Sequence, residues 1–143
     1  MPLVEQTVLE QIIVQGNNEA LVQAAERVGD ALARQFRLTT SQIRGIFGTV
    51  RQIEMDWPFN ADPARLDPQQ QATVQRARRE LLLLKPRIAY QARRERGQGV
   101  SELSQVLTPA IDLIGSDRQR FQNFVDFFEA ILAYHRANGG SNN

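Results

Sequence analysis

Apolar residues recur every three or four positions along nearly the whole chain, and this spacing limits the fold more than any other sequence feature. Residues three and four apart lie on one face of an α-helix, so the pattern predicts helices that each bury one face. Ile43, Ile46 and Val50 form one such series. No segment alternates between polar and apolar residues for long enough to predict a sheet. With 143 residues, the size of one domain, the sequence predicts an all-α, single-domain bundle of about five to six helices over residues 1–143.

Residues that cap helix N-termini mark where the helices should begin. Thr39 has Gln42 three positions on, which is the pattern of a capping box. Asp67 precedes Pro68, and proline is favoured in the first helical turn. The full set of expected N-caps is Asn17 or Asn18, Thr39, Asp67, Ser101, and Ser116 or Asp117.

Breaks and chain ends follow from the same pattern. The second helix is expected to run to about Arg37. Proline lacks the N–H of a helical residue, so we expect a kink at Pro86 and a kink or a split at Pro109. The pattern of residues 1–16 predicts either a short first helix or a loosely packed arm. Residues 139–143 are expected to form a disordered tail.

The N-terminus and the composition bear on localisation. Glu5 and Glu10 interrupt the apolar residues of the N-terminus, which also lacks a basic start, so it does not have the pattern of a signal peptide. The longest apolar run, residues 130–134, is far too short to cross a bilayer. The chain has no cysteine, which excludes disulfides and thiolate metal sites. These features predict a cytoplasmic protein with no membrane partner.

Few residues could carry chemistry. His135 is the only histidine, and its position near the end of the last helix favours a structural or solvent-exposed role. Asp126 and Glu129 share a helix face and could hold a metal or act as acid and base, although such pairs are usually solvated. We therefore expect no catalytic residue, no metal site and no cofactor.

Four phenylalanines lie close together in the last helix, and they have two interpretations. Exposed aromatic rings could stack nucleic-acid bases, whereas helical spacing is typical of a buried stripe. We expect the buried stripe, with Phe127 as the member most displaced from it. The four residues are Phe121, Phe124, Phe127 and Phe128.

Positive charge is concentrated in the middle of the chain. Residues 31–99 hold thirteen basic and six acidic residues, a balance of +7, although the whole chain carries only +1. Sixteen of the seventeen basic residues are arginine, whose planar fork suits phosphate. A polyanion partner would explain this distribution, and so would a genome or habitat that favours arginine over lysine.

Two segments carry the charge. Arg44 and Arg51 are seven apart and share a helix face, with Gly45 and Gly48 beside them. Because each glycine costs a helix about 1 kcal/mol relative to alanine, their presence indicates the close approach of a helix or a phosphate backbone. The second segment holds Arg76, Arg78, Arg79, Lys85, Arg87, Arg93, Arg94 and Arg96. Spacing alone leaves open a nucleic-acid interface, a protein-docking face and a solvated face.

Three segments of the chain, in the same order, resemble motifs of the small subunit of the type III-A CRISPR effector complex, the Csm complex. The first is residues 38–44 (LTTSQIR), followed by residues 46–48 (IFG). The second is residues 82–90 (LLLKPRIAY), with Arg93 and Arg94 just after it. The third is residues 124–134 (FVDFFEAILAY), followed by His135, Gly139 and Gly140.

This resemblance implies a helical, non-catalytic subunit that stacks in several copies beside other subunits of the complex. It implies contact with the backbone of the guide RNA and its paired target RNA, while target cleavage belongs to the backbone subunits of the complex. The RNA-binding residues implied by position are Arg44, Arg51, Lys85, Arg87, Arg93 and Arg94. Arg76, Arg78 and Arg79 are supported by charge alone. The alternatives are a helical adaptor whose basic face docks an acidic protein, and a small nuclease that uses Asp126 and Glu129.

Overall fold

The computed structural model describes residues 2–58, 65–95 and 97–140, and over these residues the protein is an all-α bundle, as predicted. The α-helices of the described residues are α1 (Gln6–Ile13), α2 (Asn18–Asp30), α3 (Thr40–Asp56), α4 (Pro68–Arg94), α5 (Gly99–Ile114) and α6 (Arg118–Ala137). A π-helical turn, Ala31–Gln35, follows α2 directly. Arg96 and the tail residues 141–143 lie outside the described residues, as does Pro63 in the loop before α4.

Side-chain caps begin four of the helices at the predicted residues. Thr39 accepts a hydrogen bond from the Gln42 amide, and the Gln42 side chain accepts one from the Thr39 amide, which completes the capping box. Asp67 caps α4 in the same reciprocal way, with Pro68 at the first helical position. Asn17 and Asp117 cap α2 and α6 through single hydrogen bonds.

The predicted cap at Ser101 is wrong. Helix α5 begins two residues earlier, at Gly99, and its N-cap Gln98 makes no side-chain capping bond. A Cβ atom on Gly99 would lie 3.0 Å from the Cα of Leu38, so the start of α5 packs directly against the segment before α3. Packing between segments distant in sequence therefore positions this helix end, and a local cap does not.

The segment after α2 departs from the expected regular helix. The α-helix ends at Asp30, and the π-helical turn carries the chain on to Arg37, which is in the left-handed region with φ of 53°. Helices α4 and α5 both continue through their internal prolines, so Pro109 does not split α5.

Helix α6 lies at the centre of the bundle and packs against α1, α2, α3 and α5. Phe121, Phe124 and Phe128 are fully buried, as predicted. The Phe121 and Phe124 rings are stacked with 6.4 Å between centroids, and Phe128 meets Phe124 edge to face at 6.2 Å. Phe127 is also fully buried, against expectation. Because helices surround α6 on several sides, its buried surface is much wider than a single stripe.

The first segment is a packed helix, which is one of the two forms that the sequence predicted for it. Leu9, Ile12 and Ile13 are 0–1% exposed and belong to the main core. They face α5 and α6, so α1 closes one side of the bundle. The segment is therefore not a loose arm.

Candidate nucleic-acid interface

Helix α3 presents one face to the core and the opposite face to solvent. Ile43 and Ile46 are buried, whereas Arg44 and Arg51 are exposed, as their seven-residue spacing predicts for a shared outer face. The two arginines are about 10 Å apart along the helix axis, at 1.5 Å per residue. This exposed side of α3 is the start of the candidate interface.

The two glycines on α3 lie open to solvent. A Cβ atom built on Gly45 or Gly48 would meet nothing within 4 Å. Neither glycine is therefore required by the packing of the described residues, although each costs the helix about 1 kcal/mol relative to alanine. The sequence left two explanations for these glycines, the close approach of a helix or of a phosphate backbone. Among the described residues, no other helix of the bundle approaches either glycine.

Helices α3 and α4 run antiparallel. The Gln42 side chain, in the first turn of α3, donates to Glu95 just past the end of α4, at 3.4 Å. At the opposite end, Trp57 after α3 lines a shallow pocket together with Val74 of α4. The end of α4 that carries the Arg93 and Arg94 pair therefore meets the beginning of α3.

Lys85 and Arg87 point to different sides of α4. Residues two apart are separated by about 200° around a helix, so Pro86 does not present them together. Lys85 makes an ion pair with Asp112 of α5, and Arg87 makes one with Glu80 of its own helix at 3.2 Å. The two side chains therefore do not form one surface.

The flank of α4 opposite Lys85 completes the interface. Because α4 packs between α3 and α5, the flank turned away from α5 adjoins α3. Arg87 and Arg94 are seven apart and share this flank of α4. On α3, Gly45 lies three residues after Gln42, on the side that meets α4. We call this surface the α3–α4 basic face and define it by Arg44, Gly45, Gly48, Arg51, Arg87 and Arg94.

The arginines of the basic face keep half or more of their side chains in solvent. Arg51 lies 2.7 Å from Glu54 and 3.9 Å from Glu129 of α6, and its side chain is 52% exposed although that of Glu54 is 19% exposed. Arg94 is 3.7 Å from Glu95 and stands over the Tyr90 ring. Because both guanidinium groups remain in solvent, a phosphate can reach them beside their carboxylate partners. Arg44 makes no ion pair within the part of the chain that the structure describes.

Four further predicted basic residues are exposed on α4. Arg93 is exposed about one-quarter turn from Arg94, toward the outer surface of α4. Arg76, Arg78 and Arg79 are exposed on the N-terminal half of α4, nearer the loop between α3 and α4.

The candidate catalytic residues are engaged in structural contacts. Asp126 accepts a hydrogen bond from Gln122 at 2.9 Å, and Glu129 is the carboxylate near Arg51. His135 is fully buried, with Nε2 against the Leu38 carbonyl. Among the described residues no three acidic or histidine side chains are grouped closely enough to hold a metal ion.

Sequence reasoning missed Arg118, which ties α6 to the end of α3. Its Nε donates to the Trp57 carbonyl at 2.8 Å, and its guanidinium lies over the Trp57 and Phe121 rings. Burial lowers the pKa of Arg118, while the nearby carboxylates of Glu54 and Asp126 raise it. Only long-range packing brings these groups together, so no local pattern marks the residue.

The described residues form a small helical protein with an apolar core and an exposed basic face. The family model described as Csm2 Type III-A matches residues 15–141 of the 143. The chain therefore belongs to this family, the small subunit of the type III-A CRISPR effector complex, as its three motifs indicated. No curated protein and no solved structure matches the chain. Within the described residues, no helix has the length and apolar character needed to span a bilayer.

Proposed function

We propose that this subunit binds the backbone of the paired guide and target RNA through the α3–α4 basic face, without catalysing a reaction, as one of several stacked copies in a cytoplasmic complex. The observation that carries the proposal is the combination on α3 of exposed arginines and open glycines. Arginine supplies charge and a bidentate fork for phosphate oxygens. Glycine has no side chain, so a sugar-phosphate chain can lie against the helix backbone beside each guanidinium group.

Backbone recognition fits the task of such a subunit. In RNA-guided complexes the sequence is read by base pairing, so the protein needs only shape and charge complementarity to the duplex. The arginines of α3 and those of α4 stand on either side of Gly45, which suits an extended polyanion. The core beneath α3, where Phe47 packs edge-on against Phe128 at 5.1 Å, holds this face in place.

We expect Arg44→Ala combined with Arg51→Ala to weaken target-RNA binding by the assembled complex for every sequence alike. Each lost phosphate contact removes about 0.7–0.9 from the slope of log affinity against log salt, so the double variant should flatten the slope by about 1–2 units. The measurement is filter binding of labelled target RNA across a salt series. The purified subunit alone, incubated with the same RNA and Mg²⁺, should leave it intact.

The matched control is Arg27→Ala combined with Arg136→Ala. This variant removes the same charge from exposed positions on α2 and α6 that are not among the residues defining the basic face. If both double variants keep the wild-type affinity and slope, the α3–α4 basic face does not contact RNA. Magnesium-dependent cleavage of the RNA that disappears in Asp126→Ala would contradict the non-catalytic assignment.

The glycines offer a test that leaves charge untouched. Gly45→Ala with Gly48→Ala should stabilise the isolated protein by about 1 kcal/mol per site, because alanine is the better helix former and the space is open. The same variant should weaken target-RNA binding by about tenfold, since methyl groups hold the backbone away, while the salt slope stays unchanged. Stabilisation without loss of binding would show that the glycines are not contact positions.

A second candidate function, protein docking, is favoured by the outer surface of α4. Leu82 and Tyr90 are 60% and 68% exposed, and their spacing of eight places both toward solvent. Exposed apolar side chains in one row are typical of protein contacts. We therefore assign RNA contact to the α3 side of α4, and contact with neighbouring subunits of the complex to its outer side.

A further inference from the structure

Arg37 has a backbone conformation that is unfavourable for its residue type. With φ of 53° it is the one residue other than glycine in the left-handed region among those that the structure describes. The turn that holds it is well formed, because the Leu38 amide donates to the Leu32 carbonyl at 2.8 Å. Turns of this kind close helix C-termini and normally place glycine at the left-handed position, since a Cβ atom there is strained.

The fold itself makes no visible use of the Arg37 side chain. The residue is exposed, and its guanidinium has no hydrogen bond or ion pair within the described part of the chain. Its neighbour Arg34, by contrast, pairs with Asp30 at 3.0 Å and donates to Asn138. A strained backbone under a free, charged side chain points to a contact outside this chain.

The turn that carries Arg37 lies at one end of the α3–α4 basic face. Thr39, two residues on, is the N-cap of α3, and Leu38 packs against Gly99 at the start of α5. The first turn of α3 also reaches Glu95, just past Arg94, through Gln42. Arg37 and Arg94 therefore lie at the same end of the bundle, and Arg44 lies in the second turn of α3.

Resting on the proposed function, we propose that Arg37 is a further RNA-backbone contact, which continues the line of phosphate-binding arginines beyond Arg44. Position 37 resembles positions 45 and 48 in one respect. At those positions the chain keeps glycine where alanine would be more stable, and at position 37 it keeps arginine where glycine would be more stable. In both places local stability is lower than it could be.

The substitution Arg37→Gly distinguishes RNA contact from a structural role, because RNA contact predicts higher stability together with lower RNA affinity. Removing the strained Cβ should raise the Tm of the isolated protein by about 2–8 °C. Removing the charge should weaken target-RNA binding by the assembled complex by about 3- to 10-fold, and flatten the salt slope by about 0.7–0.9. Arg37→Lys keeps both charge and strain, so it should match the wild type in Tm and stay close to it in affinity.

The controls distinguish failure of this inference from failure of the proposed function. Arg34→Ala removes the same charge three residues away and should bind RNA as the wild type does. If Arg44→Ala with Arg51→Ala weakens binding but Arg37→Gly does not, Arg37 is not a contact and the proposed function stands. If neither variant weakens binding, the proposed function fails as well. A lower Tm for Arg37→Gly would show that the charge stabilises the end of the helix, and would overturn the inference.

Discussion

Replacing Phe124 by alanine should lower the free energy of unfolding by about 3–5 kcal/mol. The ring is fully buried in α6, and it packs between the rings of Phe121 and Phe128. Its loss would leave a cavity that four surrounding helices could fill only in part. A domain of this size has about 5–15 kcal/mol of stability in total, so the loss should be visible in a denaturant titration followed by circular dichroism.

Met55→Ala is the matched control for this prediction. Met55 is 77% exposed on α3, so its truncation should change the free energy of unfolding by less than about 0.5 kcal/mol. If Phe124→Ala unfolds like the wild type but loses RNA binding, the ring is a stacking platform for bases, and its assignment to the core is wrong.

Gly29→Ala should also destabilise the fold, by about 1–3 kcal/mol or more. A Cβ atom at this position would lie 2.6 Å from the Cβ of Tyr134 and 2.8 Å from the backbone nitrogen of His135. Backbone atoms cannot move aside as a flexible side-chain end can, so α2 and α6 would have to separate. The gain in helix propensity, about 1 kcal/mol, is too small to offset this overlap.

Gly48→Ala provides the comparison because it is the same substitution within a helix but in open space. The two variants should therefore shift the thermal unfolding midpoint in opposite directions. Equal shifts would mean that helix propensity dominates at both positions, and that the contact between α2 and α6 has room for a methyl group at position 29.

The sequence by itself determined the helices and most of their beginnings. Periodicity and capping act between residues three or four apart, so these signals need no knowledge of the rest of the chain. Thr39 with Gln42 and Asp67 with Gln70 form their capping boxes where the spacing predicted them. The shared face of Arg44 and Arg51 follows from the same local geometry, and the family follows from three motifs that are each contiguous in sequence.

Features that depend on residues distant in sequence were decided by the tertiary structure alone. The start of α5 is positioned by contact between Gly99 and Leu38, and Phe127 is buried because helices surround α6 on several sides. Lys85 pairs with Asp112 of α5, a contact that spacing along α4 does not reveal. The left-handed Arg37 likewise belongs to a turn that packs against α5 and α6, and no local pattern predicts that packing. Each of these outcomes reflects packing free energy between elements, which exceeds local propensity and cannot be read from spacing along one helix.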